Sequence, residues 1–117
     1  MPSKSLKKAD CLSLTRELKK NTDVLDFTFE KANLKIVNFS WTLDEDSRLY
    51  FYLEISSSDA KGNQNFSVKL NLYDSNGEII DQDCDSVFNF SGYDTLKFRF
   101  YDKPIILRAC KARLFIV

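Results

Sequence analysis

The chain has 117 residues, 44% of them hydrophobic and 29% charged, with 17 basic and 17 acidic side chains and a formal net charge of zero. That length suits one hydrophobic core, and the hydrophobic share excludes a chain too polar to fold. The charge balance excludes a global field that would draw the protein to nucleic acid or to an anionic membrane.

Residues 1–23 are rich in lysine and lack period-two alternation. Leu14 and Leu18 lie one helical turn apart, Asp10 could cap, and Arg16, Lys19 and Lys20 suit a helix end. The segment is therefore read as a short helix over about residues 10–20 or as a tail, since so short a helix needs tertiary docking to persist. It has no continuous apolar stretch of signal-peptide length, and no later stretch approaches a membrane span, so a cytoplasmic protein without membrane partners is expected.

Residues 24–117 form the expected domain. Leu25, Phe27 and Phe29 alternate with polar neighbours and predict an irregular first strand or the lead into one. In the next run, from Leu34 to Leu43, Leu34 and Ile36 favour one inward phase while Val37, Phe39 and Trp41 favour the other, which a bulge midway would reconcile. Leu49, Phe51, Leu53 and Ile55 alternate cleanly and predict a strand over residues 48–56. A loop composition spans Ser56 to Asn65, after which Phe66, Val68, Leu70 and Leu72 restart the alternation.

Asp74-Ser75-Asn76-Gly77 predicts a hairpin, because Asn-Gly tolerates the positive φ of a tight turn or a G1 bulge. The return strand over Glu78 to Phe88 has two phases: Ile80, Gln82, Cys84, Ser86 and Phe88 on one, Asp81, Asp83, Asp85 and Val87 on the other. Cys84 is placed on the inward phase, which leaves the aspartates on a solvated edge. Ser91-Gly92-Tyr93-Asp94 predicts another turn, Leu96, Phe98 and Phe100 another strand, Pro104 its end, and Cys110, Ala112, Leu114 and Ile116 a last strand. Six or seven such strands with turn residues between them indicate an antiparallel β-sandwich or small barrel.

The run Leu70-Asn71-Leu72-Tyr73-Asp74-Ser75-Asn76-Gly77, followed by a Leu-x-Phe-x-Phe strand and an amphipathic terminal strand, resembles the FxLYD-type modules of bacteria, with Leu70 in the place of the Phe. The likeness covers roughly residues 34–117 and implies an immunoglobulin-like sandwich.

For chemistry, the sequence offers little. It has no histidine, its three glycines Gly62, Gly77 and Gly92 are isolated, and no serine sits in a nucleophile-elbow pattern, so neither an enzyme nor a cofactor is expected. The wide spacing of Cys11, Cys84 and Cys110 matches no zinc pattern; they are read as reduced thiols, with Cys84 and Cys110 inward and slow to alkylate and Cys11 fast. Asp74, Asp81, Asp83 and Asp85 are the candidates for a calcium site, against the alternative of a charged edge that resists aggregation. If residues 34–43, 48–56 and 95–101 share a sheet, as in immunoglobulin-like topology, Tyr50, Tyr52, Lys97, Arg99 and Tyr101 face outward together. Tyr and Arg are enriched at interface hot spots, and aromatic residues interleaved with basic ones also make single-stranded nucleic-acid platforms. The zero net charge favours a protein partner, so the expectation is a non-catalytic interaction module, with ligand or calcium binding second and nucleic-acid binding third.

Overall fold

Each period-two run places its apolar phase on one side of a strand, and burying those phases requires a second layer. The computed structural model describes residues 6–58 and 64–117. Its elements run α1 (Lys8–Lys20), β1 (Thr22–Val24), α2 (Asp26–Lys31), β2 (Lys35–Leu43), β3 (Leu49–Ser56), β4 (Gln64–Tyr73), β5 (Ile79–Phe90), β6 (Tyr93–Phe100), α3 (Lys103–Arg108) and β7 (Lys111–Ile116). One sheet has the order β2-β3-β6 and the other β1-β7-β4-β5. All pairings are antiparallel except β1 with β7. The protein is thus mainly β, as the alternation predicts. The expected loop from Ser56 to Asn65 falls partly on residues 59–63, outside the described residues.

The core lies between the sheets. Leu49, Phe51, Leu53 and Ile55 of β3 are fully buried, as are Val68, Leu70 and Leu72 of β4 and Ala112 and Leu114 of β7. Burial of each large apolar side chain contributes roughly 1.5–3 kcal/mol. Phe51 is central, with its ring 4.7 Å from that of Trp41 and 5.7 Å from that of Phe98. The register of β2 against β3 shifts between Ile36 and Asn38, which leaves Val37 as the extra, exposed residue. This is the bulge the conflicting phases of β2 require, since it lets Leu34 and Ile36 face the same core as Phe39 and Trp41.

The amino-terminal segment is docked rather than loose. Leu18 of α1 is fully buried in the core. The Trp41 indole donates to the Thr22 hydroxyl at 2.9 Å, and that hydroxyl donates to the Leu18 carbonyl at 2.6 Å, so β2, β1 and α1 are tied together. Residues 25–29 are not a strand: Leu25 precedes α2, which takes Asp26 onward, burying Phe29 and leaving Phe27 64% exposed. Leu25 and Phe29 lie one helical turn apart, and five residues of alternation cannot distinguish that spacing from a strand. Pro104 starts a helix as well as ending a strand, because it occupies the first turn of α3 while the Asp102 carboxylate accepts the Ile105 amide.

Two hairpin turns are built alike. The Asp74 amide donates to the Glu78 carbonyl at 3.0 Å and the Gly77 amide to the Asp74 carbonyl at 3.1 Å; the corresponding bonds at Asp44, Ser47 and Arg48 are both 3.2 Å. Ser47 and Gly77 take the positive-φ position, at 64° and 78°. A Cβ added to Gly77 would meet nothing within 4 Å, so any cost of substitution there comes from the backbone alone. Gly77→Val should therefore lower unfolding stability by about 1 kcal/mol or more in urea titration, whereas an unchanged midpoint would refute the positive-φ turn.

Candidate functional site

The clean alternation of β3 that buries its apolar phase sends Tyr50, Tyr52 and Glu54 to the opposite side. On β6 the matching residues are set by register: Tyr50 is opposite Arg99 and Tyr52 opposite Lys97. The five residues expected to share an outward phase therefore do meet on one face. The Tyr50 ring lies 6.2 Å from that of Tyr52 and 6.1 Å, edge-on, from that of Tyr101. The Lys97 ammonium stands 4.3 Å from the centre of the Tyr50 ring and 5.5 Å from that of Tyr52, an arrangement in which cation and ring quadrupole attract. The hydrogen bond Tyr50 shares with Tyr101, with burial adding to it, raises the Tyr50 phenol above its ordinary pKa. Tyr101 is 57% exposed and Arg99 is exposed.

The face extends further than the sequence indicates. Tyr93 donates to the Glu54 carboxylate at 2.6 Å. On β2, Ser40 lies opposite Tyr52 and Thr42 opposite Tyr50, so short hydroxyl residues border the tyrosine ridge on that side. Only the pairing of β2 with β3, which is non-local, reveals that border. A separate groove of about 480 Å³ lies between α1 and α3, with Leu6, Leu14, Leu43 and Leu107 in its walls and Asp10 and Glu17 among its polar groups.

The four aspartates read as a possible cation site do not converge. Asp74 accepts the amides of Asn76 and Glu78 on one carboxylate oxygen and the Arg108 guanidinium on the other. The Glu78 amide, ahead of the Asn76 amide and Arg108, holds its carboxyl below the usual aspartate range against the opposing effect of burial. Asp81 accepts the amide of Gln82. Asp83 accepts the amide of Arg99 at 2.8 Å and Asp85 that of Lys97 at 3.2 Å. Among the described residues no three acidic or cysteine side chains are grouped to hold a metal ion. The last two bonds run between the sheets: β5 ends one sheet and β6 the other, so inward carboxylates of one edge take up free amides of the other edge.

The fold and this face define a small two-sheet β protein that presents a tyrosine ridge flanked by cations. No protein-family model and no curated protein matches the sequence. Among solved structures, the chain is similar to the crystal structure of Campylobacter jejuni cj0090, with 17% sequence identity and a TM-score of 0.49, over 82% of this chain and 95% of that one.

The phase assigned to β5 from sequence is reversed in the structure, and the thiols follow. Asp85, Asp83 and Asp81 sit opposite Val68, Leu70 and Leu72 on the inner face, which turns Cys84 outward, opposite Lys69. Cys84 is exposed, Cys110 is half-buried, and Cys11 is only 4% exposed. The expected order of reactivity is thereby overturned. Cys11 donates to the Asp44 carbonyl, and burial, with Glu45, Asp10 and Asp44 nearby, pushes its thiol pKa up. Its neutral form is favoured by folding, so the stability it contributes is complete below the unfolded thiol value of about 8.5 and is lost as pH rises through the raised folded value. Mass-spectrometric alkylation kinetics at neutral pH should show Cys84 labelled first and Cys11 last; fast labelling of Cys11 in the native protein would refute the docking of α1.

Proposed function

We propose that this chain is a non-catalytic protein-interaction module, acting as an adaptor, subunit or inhibitor through the outer face of β2-β3-β6. One observation carries the reading: Tyr50, Tyr52, Tyr101, Lys97 and Arg99, distant in sequence, converge on an outward face, where the tyrosine ridge and its cations are not needed to fill the core. Such clusters of Tyr and Arg are the usual source of interface energy, because their large rings bury area at low conformational cost. The immunoglobulin-like architecture belongs to the same proposal. Its support is a β2-β3 hairpin in one sheet and a β4-β5 hairpin in the other, with the chain crossing between sheets after β1, β3, β5 and β6. Three free cysteines in separate surroundings fit a reducing, cytoplasmic setting.

Binding and folding can be separated at this face. Truncating a central aromatic or Arg side chain typically costs about 2 kcal/mol or more at an interface, while an exposed position on the free domain changes stability by under about 0.5 kcal/mol. Arg99→Ala should leave the melting temperature nearly unchanged, Tyr52→Ala should lower it only slightly, since that ring is half-buried beside Tyr50 and Lys97, and both should weaken affinity capture of the partner from the source organism. Cys84→Ser, on the other sheet, should change neither. Asp83→Ala is no neutral control, since it removes the acceptor of the Arg99 amide. Normal capture by both face variants would refute the proposal.

A further inference from the structure

We infer that the tyrosine face binds an acidic, extended segment of a partner protein, with Arg99 and Lys97 as its carboxylate-binding residues; this rests on the reading above that the face is the binding surface. The first argument is charge. Neither Arg99 nor Lys97 is in an ion pair, in contrast to Arg108 with Asp74 and Arg113 with Asp23, so the side chains of both lack a carboxylate partner among the described residues. Asp83 and Asp85 are engaged by the backbone amides of these same two residues, and Glu54, the carboxylate on the outer face of β3, accepts the Tyr93 hydroxyl. The guanidinium of Arg99 is exposed and carries the planar fork that takes a carboxylate in two parallel hydrogen bonds.

The second argument is relief. Ser40 and Thr42, with short side chains, lie opposite Tyr52 and Tyr50 on β2, and Lys97 and Arg99 lie opposite the same two tyrosines on β6. A strand-like segment lying along the ridge would put apolar side chains over Ser40 and Thr42 and acidic ones toward the cations, as period-two alternation allows.

The third argument separates a protein from a nucleic acid. Base stacking needs open ring faces. Here the Lys97 ammonium stands over the Tyr50 face and Tyr101 closes on its edge, so the central ring of the cluster is already occupied. The zero net charge removes the long-range attraction that phosphate-binding proteins depend on.

The test uses the full chain with 3-fluorotyrosine at its tyrosines, the resonances assigned through Tyr→Phe variants, titrated with three probes: an acetylated, amidated (Leu-Glu)n peptide, its (Leu-Gln)n counterpart and an oligo-uridine. The acidic peptide should shift the Tyr50, Tyr52 and Tyr101 signals with at least about tenfold higher affinity than the neutral one, and Arg99→Gln should abolish most of that difference. Equal affinity for the neutral peptide at the same signals would overturn the acidic partner while leaving the face as the binding surface. Acidic-peptide shifts confined to Tyr73, on the other sheet, would overturn both. Tighter binding of oligo-uridine than of the acidic peptide, or no response to the acidic peptide at all, would also overturn the inference, and the capture experiment with Tyr52→Ala then decides the face separately.

Discussion

Two sheets that end in open edges must have those edges closed, and here the closure along one side is made by side chains. A row of free amides on β6 would template aggregation if it faced water and would destabilise the fold if it were buried unpaired. Asp83 and Asp85 answer both constraints by turning inward from the edge of β5 and accepting the amides of Arg99 and Lys97. An inward charge on an edge strand is normally a cost, because a carboxylate loses hydration as it leaves water. These two reach amide donors at the rim of the core, where the exchange of water for protein hydrogen bonds is close to even.

The seam also borders the candidate site. A residue's amide lies in the plane of the sheet and its side chain roughly perpendicular to it, so the two residues whose amides are held by carboxylates are those whose cationic side chains stand on the outer face. The pairing of β6 with β3 sets Lys97 over Tyr50, and Tyr101, just beyond the strand end, packs against the same ring. On the inner side of β6, Phe98 packs on Phe51, which packs on Trp41, whose indole reaches Thr22. The surface cluster and the docking of α1 are thus opposite ends of one connected set of contacts.

What the sequence makes legible follows from where the deciding interactions lie. β3 is readable because each of its apolar side chains is opposite an apolar neighbour, so local alternation and global burial agree. The bulge in β2 is readable because two incompatible phases stand within a few residues of each other. In β5 neither phase is strongly apolar; Cys84 favours one and Val87 the other, and the choice is made by amides on β6, 16 positions away in the case of Asp83 and Arg99. The docking of α1 depends on Leu18 finding the core and on Trp41 reaching Thr22, contacts that no local pattern encodes. The outward phase of the tyrosines is legible from strand alternation, whereas the placement of Ser40 and Thr42 beside them requires the sheet order.

The account stands on the seam between β5 and β6, and amide hydrogen exchange reads it directly. The amides of Lys97 and Arg99 should be as protected in the native protein as those of the core strand β3, and an Asp83→Ala, Asp85→Ala double variant should lose that protection selectively at these two positions. Exchange of both amides at unprotected-peptide rates in the unaltered protein would contradict the seam and the closure of the β6 edge that rests on it.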